Sequence, residues 1–146
     1  MNRISRNFTM TEFGASPTAQ QRGIDNSIPK AKQRNIRALV HAVLQPLRTS
    51  FGLPYVITSG YRSKELNRVI GGAANSQHLR GEAADGHILR NGVRIPTIEM
   101  LRRAIELDLP FDQAVMYDNK IHFAHTIDRE NRRDVQYHSS YRGQRL

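Results

Sequence analysis

The residues best suited to chemistry lie in one short polar segment, residues 76–85. His78 and Asp85 are seven positions apart there, and Gly81 between them allows a sharp turn of the chain. If Asp85 sits on a strand and His78 on the loop before it, both can converge on one cation. The chain contains no cysteine, so any metal must be held by nitrogen and oxygen. A third nitrogen ligand from a distant segment would complete an open, hydrolytic zinc site.

Two histidines further along the chain are candidates for that third ligand. His122, at the centre of a predicted hairpin strand, is the first choice. His125 is the alternative, and a spacing of three places the two on opposite faces of a strand, so only one should coordinate. His87 shares strand parity with Asp85 and stays open as a fourth ligand, an outer partner or a surface residue. Taken alone, a histidine followed by an aspartate is also common at surfaces without metal.

Hydrophobic spacing predicts the helices that must position these residues. Apolar residues recur at intervals of three and four within residues 29–52, which indicates an amphipathic helix opened by a proline and closed by a glycine. A brief helix is predicted over residues 63–70, with a serine cap. A second amphipathic helix is predicted over residues 96–110.

Short β-type runs alternate with these helices. Strands are predicted over residues 55–58 and 82–88, and a hairpin over residues 114–117 and 121–124. Helices and strands interleave without a regular βαβ rhythm, which favours an α+β fold with a small antiparallel sheet.

The length of 146 residues fits a single domain, which we expect to span residues 1–146. Residues 1–28 are predicted as a polar, extended N-terminal arm with a short helical turn, and residues 136–146 as a disordered tail. Apolar residues make up 38% and charged residues 24% of the chain, values that exclude both a membrane-spanning protein and a wholly disordered one.

The charge balance predicts polyanionic partners. Lysine and arginine number 22 against 13 acidic residues, a formal net charge of +9. Such an excess favours encounter with nucleic acid, an anionic membrane surface or an anionic cell-wall polymer. No aromatic-rich basic strand or zinc-finger pattern is present, so nucleic acid is the least favoured of these partners.

Five short motifs follow one another between Thr58 and Asp85: Thr58-Ser59-Gly60-Tyr61-Arg62-Ser63, Leu66-Asn67, Gly71-Gly72-Ala73, Asn75-Ser76-Gln77-His78 and Gly81-Glu82-Ala83-Ala84-Asp85. In this order they resemble the M15 peptidases, zinc D-alanyl-D-alanine carboxypeptidase-like enzymes that cut peptide stems or cross-links of bacterial peptidoglycan. The resemblance covers roughly residues 7–135 and implies the family's fold, a small sheet with a zinc site packed by helices, as in Hedgehog-like proteins.

The resemblance also implies roles for individual residues. One zinc ion would be held by His78, Asp85 and His122, with zinc-activated water as the nucleophile. Arg62 matches the family's arginine that meets a substrate carboxylate or carbonyl. Ser76 and Gln77 match positions that line the substrate pocket.

The chain departs from the family pattern at the general base, which many members place two or three residues before the last zinc ligand. Those positions hold Lys120 and Asn119. Asp118, four residues before His122, is one candidate base, and His125 is a candidate for proton transfer. If His125 were the ligand instead, His122 could act as the base.

The sequence therefore predicts a monomeric zinc peptidase acting on peptidoglycan or muropeptides, as a carboxypeptidase or an endopeptidase. The alternative is a catalytically idle, zinc-bearing module that binds the wall or serves a structural role. The first residues lack an apolar core, so no signal peptide and no stable membrane insertion are expected. We expect synthesis in the cytoplasm and action at the wall, by a route such as the membrane holes made during phage lysis.

Overall fold

The computed structural model describes residues 2–146 and shows the expected α+β class, with short helices packed around a sheet. The helices are α1 (Met10–Gly14), α2 (Pro17–Arg22), α3 (Lys30–Leu39), α4 (Gln45–Phe51), α5 (Lys64–Ile70) and α6 (Thr97–Glu106). A π-helical turn spans Val40–Leu44 and a 3₁₀ turn spans Gln77–Arg80. The strands are β1 (Arg3–Ser5), β2 (Phe8–Thr9), β3 (Tyr55–Ser59), β4 (Ala83–Arg90), β5 (Val93–Arg94), β6 (Gln113–Met116), β7 (Ile121–Ala124) and β8 (Asp134–Tyr137).

Within residues 2–146, six strands form the main sheet in the order β3-β4-β7-β6-β8, with β5 paired to β4. The pairs β3–β4, β4–β7 and β6–β7 are antiparallel, as predicted. The pair β6–β8 is parallel, which corrects the expectation of a purely antiparallel sheet. No helix in this part of the chain is long and apolar enough to cross a bilayer.

Strand β8 ends at Tyr137 and so enters the segment, residues 136–146, that the sequence predicts to be a disordered tail. Val135 and Tyr137 pack against the core, while Asp134 and Gln136 alternate with them. Beyond the strand, Tyr141 is also buried in the core. The charged segment therefore contains an alternation of apolar and polar residues with a period of two. The strand that it forms, β8, pairs with β6, whose edge would otherwise be open.

The long predicted helix over residues 29–52 is present but interrupted by the π turn. Pro46 lacks an N–H and would clash with the carbonyl four residues before it in a regular helix. The π turn avoids this conflict, and the Gln45 N–H donates to the carbonyl of Val40, five residues back. The predicted apolar stripe is confirmed: its members are no more than 1% exposed, namely Ile36, Leu39, Val40, Val43, Leu44 and Leu47.

The helix predicted over residues 96–110 is α6, which ends at Glu106 because Asp108 adopts a left-handed conformation. The apolar faces of α3, α4 and α6 share a core with one face of the sheet. On β4 and β7, Ala84, Ile88, Ile121 and Phe123 point into that core. The alternate residues of the same strands therefore lie on the opposite face.

The N-terminal segment, predicted over residues 1–28 as an extended arm with a short helical turn, contains two short helices and the β1–β2 pair. Met1 lies outside the described residues. Phe8 and Phe13 belong to the core. Asn26 donates to the Tyr61 carbonyl at 3.0 Å and accepts from the Ser63 N–H at 2.8 Å. The segment therefore braces the loop after β3, which contains Arg62.

Candidate metal centre

Three separate elements bring His78, Asp85 and His122 together. Asp85 on β4 and His122 on β7 are directly paired across the strands, on the face turned away from the helices. His78 lies in the 3₁₀ turn before β4, which ends with Gly81 in a left-handed conformation. One ligand atom from each of the three residues can be chosen so that all lie within 4.8 Å of one another.

Asp85 is the centre of this group. Its Oδ1 lies 3.3 Å from His78 Nε2 and 2.8 Å from His122 Nδ1. The two imidazole rings meet edge to face, with centroids 5.0 Å apart. Two imidazole nitrogens and one carboxylate oxygen are a donor set that zinc accepts, and three protein ligands leave a position for solvent or substrate. The residues present therefore fit a zinc ion.

A backbone carbonyl fixes the His78 ring. Its Nδ1 lies 2.7 Å from the Gly60 carbonyl oxygen, so Nδ1 donates and Nε2 presents its lone pair to the group. Gly60 is required there, since a Cβ would lie 2.6 Å from the Phe13 carbonyl oxygen. Burial lowers the pKa of His78, which favours the neutral ring that a metal needs.

The Asp85 carboxylate is buried but well compensated. Burial alone raises its pKa, yet the His122 and His78 side chains beside the carboxylate hold the pKa well below the usual range. On its other oxygen, Oδ2, Lys120 Nζ lies at 3.3 Å and Arg62 Nη2 at 3.7 Å. Asp85 is therefore ionised, as a metal ligand must be.

The predicted substrate-binding residues line a cavity of about 560 Å³ that includes all three candidate ligands. Arg62 is half-buried in its wall and is held by Ser59 Oγ at 3.1 Å and Asn67 Oδ1 at 3.3 Å. Ser76 also lines the cavity, and its Oγ accepts from the His78 N–H at 3.2 Å. Ser76 thus positions the turn that carries the ligand.

Gln77, the third predicted pocket residue, links two acidic groups beside the cavity. Its Nε2 donates to Glu82 Oε1 at 3.3 Å and to Asp112 Oδ2 at 3.2 Å. Both carboxylates belong to buried residues. Gln77 therefore holds the His78 turn against the start of β6.

The structure does not bring the two candidate bases to the ligands. His125 follows the end of β7, where its Nδ1 lies 2.7 Å from the Pro110 carbonyl oxygen. Asp118 accepts from the Arg142 N–H at 2.9 Å and lines a different cavity, beside α6. Neither is among the described residues that line the cavity of the metal ligands. The turn after β6 directs Asp118 away, and strand alternation separates His125 from His122.

His87, left open as a fourth ligand, lies on the same sheet face as Asp85 but outside the ligand group. It lines a neighbouring cavity with Thr58 and Arg94.

Among the residues that line the ligand cavity and that sequence reasoning missed are Tyr117, Lys120, Arg129 and Arg132. Tyr117 stacks on His138, with ring centroids 4.5 Å apart. Among the described residues of the cavity wall, Asp85 is the only acid and the two ligands are the only histidines. A signal for the arginines was present in Asp112, because an acid between Phe111 and a predicted strand needs cationic partners if it is buried.

A His-Asp-His group in a basic cavity on one face of a mixed sheet suits a metal-dependent hydrolase. The family model Peptidase M15 matches residues 6–124, a span that contains His78, Asp85 and His122. The chain therefore belongs to the M15 peptidase family, as its motifs predicted.

Among the solved structures, this chain is similar to the crystal structure of the Serratia marcescens L-Ala D-Glu endopeptidase ChiX. The similarity has a TM-score of 0.43 and 19% sequence identity, and it covers 68% of this chain and 89% of that chain. A search of the curated proteins finds no match.

Proposed function

We propose that this chain is a zinc-dependent peptidase that cleaves peptide stems or cross-links of bacterial peptidoglycan at the cell wall. The observation that carries the proposal is the convergence of His78, Asp85 and His122 within 4.8 Å in a chain of the M15 family. Zinc, when bound, supplies Lewis acidity toward the scissile carbonyl and lowers the pKa of water near neutrality.

The chain's own residues prepare the cavity for an anionic peptide. Arg62 is held in place by Ser59 and Asn67, and a guanidinium fixed in this way matches a substrate carboxylate. Lys120 and Arg62 also offset the charge of Asp85, which would otherwise repel such a substrate. A stem peptide ending in a free carboxylate fits these groups.

The charge of the cavity wall supports the same substrate class. Five cationic residues line it against a single acidic one, Asp85, among the residues described: Arg62, Arg80, Lys120, Arg129 and Arg132. This imbalance favours peptides with several carboxylates, which occur in peptidoglycan stems, over neutral peptides.

One observation favours a second candidate, a zinc-bearing module without catalytic activity that binds the wall. No carboxylate or imidazole apart from the ligands themselves is found among the described residues of the cavity wall. Proton transfer from water usually depends on such a group. Tyr117 does not replace it, because burial and the charge of Asp85 raise its pKa and keep its hydroxyl protonated.

A turnover assay separates the two candidates. Purified protein is incubated with muropeptides, with and without a chelator, and products are identified by mass spectrometry, which also distinguishes carboxypeptidase from endopeptidase cleavage. We expect hydrolysis that the chelator abolishes and zinc restores. Asp85→Ala should lower the rate by at least about 100-fold, since even changes behind a ligand cost about 10- to 100-fold.

The matched control is His41→Ala, which removes an exposed histidine outside the ligand group and its cavity, and it should leave turnover unchanged. A wild type that binds zinc and wall fragments but produces no cleavage would establish the idle module instead.

A further inference from the structure

A buried carboxylate fixes two half-exposed arginines in the wall of the ligand cavity. Asp112 is fully buried, and Arg129 donates to it from Nη1 at 2.6 Å and from Nη2 at 2.9 Å. Arg132 donates to the same carboxylate from Nε at 3.1 Å and from Nη2 at 2.9 Å. The arginine side chains are 48% and 53% exposed. The negative charge is therefore hidden, while two positive charges reach the surface.

Both guanidinium groups keep donors for a further ligand. A guanidinium has five N–H donors in a fixed, planar arrangement. Among the described residues 2–146, no partner accepts a hydrogen bond from Arg132 Nη1 or from Arg129 Nε. Both arginines line the cavity. Because Asp112 already holds the side chains, little conformational entropy remains to be lost when an anion binds.

The register of the sheet sets the distance from these arginines to the metal ligands. On β6, Val115 lies opposite His122, and Asp112 precedes Val115 by three residues. At about 3.3 Å per residue, Asp112 lies about 10 Å along the sheet from the ligand pair. An extended peptide covers this distance in roughly three residues. Gln77 fixes the position of Asp112 relative to His78, because its side chain donates to Asp112 and it directly precedes His78 in the chain.

We propose that Arg129 and Arg132 form a subsite for a second carboxylate of the substrate, about two to three residues from the bond that is cut. The subsite is distinct from Arg62, which flanks Asp85 at the metal ligands. The inference rests on the proposed function, because it names the substrate class of the same cavity.

The test uses pairs of synthetic stem peptides that differ only in one carboxylate, present as the free acid or as the primary amide. The changed group is placed one, two, three or four residues from the scissile bond. For wild type we expect kcat/KM to favour the acid by about 10- to 100-fold when the group is two or three residues away, mostly through KM. Arg129→Gln should lower kcat/KM for the acid peptide by more than for the amide peptide, and so reduce the preference for the acid.

Two variants control for charge and folding. Arg133→Gln removes a neighbouring arginine that pairs with Asp108 outside the cavity, and it should retain the wild-type preference. Arg129→Lys keeps the positive charge but loses the planar fork, so its preference should be intermediate. Circular dichroism verifies that each variant is folded, and Asp112 retains its bonds to Arg132 in both Arg129 variants.

Calorimetric titration of the same peptides onto protein freed of zinc by a chelator tests the subsite without turnover. If wild type cleaves no peptide but binds the acid more tightly than the amide, the proposed function fails and the subsite stands. If wild type cleaves acid and amide peptides equally at every position, or if Arg129→Gln keeps the wild-type preference, the subsite is wrong and the peptidase stands.

Discussion

At the scale of single residues, the candidate metal centre depends on how its three side chains are held in the structure without a metal. His78 is oriented by the Gly60 carbonyl, and His122 by its contact with Asp85 Oδ1. Asp85 is held in turn by both histidines and by Lys120. Ligands fixed in this way lose little freedom on binding a metal, which favours a high affinity.

Metal content distinguishes the two histidines of the 122–125 segment. Because His122 lies opposite Asp85 and His125 bonds to Pro110 instead, His122→Ala should lose zinc and His125→Ala should retain it. Zinc per chain is measured after dialysis of each purified variant. His125→Ala should instead lose about 1 kcal/mol of unfolding free energy, the value of one hydrogen bond. Zinc retained by His122→Ala and lost by His125→Ala would reverse the assignment of the ligand.

At the scale of elements, Asp112 joins the start of β6 to the segment that forms β8. Its N–H donates to the Ala124 carbonyl at 2.7 Å, and its own carbonyl accepts from the Asp134 N–H at 3.0 Å. Its side chain binds Arg129 and Arg132. The single buried residue Asp112 thus holds together the edge strand β8, the loop before it and one side of the cavity.

The stability of this junction depends on pH. Burial alone raises the pKa of Asp112, but its hydrogen bonds with Arg129 and Arg132 lower the pKa far below the ordinary value. A depressed pKa in the folded state stabilises the protein above about pH 4, and this contribution disappears as the pH falls through the folded-state pKa. Asp112→Asn should cost about 2 kcal/mol near neutral pH, and the difference from wild type should shrink below about pH 4.

Urea unfolding of wild type and Asp112→Asn at several pH values measures this difference. The control is Asp108→Asn, which removes an exposed acid paired with Arg133 and should change the unfolding free energy far less. A cost for Asp112→Asn that is the same at every pH would contradict the role assigned to its charge.

At the scale of the whole molecule, the net charge of the chain and the charge of the cavity wall are both positive. The net charge of +9 gives the chain a long-range attraction to anionic polymers, and the cationic cavity wall continues it to the metal ligands. The same positive charge would then attract the chain to the anionic wall and favour an anionic peptide in the cavity.

Binding to purified peptidoglycan should therefore weaken as salt is added. Screening lengths fall from about 10 Å at 0.1 M salt to about 3 Å at 1 M, so the bound fraction in a sedimentation assay should fall over this range. Asp85→Ala, which removes one acidic ligand, should show the same salt dependence, because the attraction arises from the whole surface. A bound fraction that does not change with salt would show that the net charge plays no part in wall binding.

The sequence by itself determined the local elements and the first half of the site. Apolar spacing predicted the helix over residues 29–52, and the His78–Asp85 spacing predicted two candidate ligands. The ordered motifs between Thr58 and Asp85 indicated the family. These features depend on near neighbours, whose periodicity is encoded in the order of residues.

Only the tertiary structure decided the partners that are distant in sequence. It placed His122 rather than His125 opposite Asp85, turned Asp118 away from the cavity, and brought Arg129 and Arg132 to Asp112. It also formed strand β8 over Asp134–Tyr137, which enters the predicted disordered tail. The physical reason is that strand order and register are fixed by packing across the whole core, and no local spacing encodes which segments meet across a sheet.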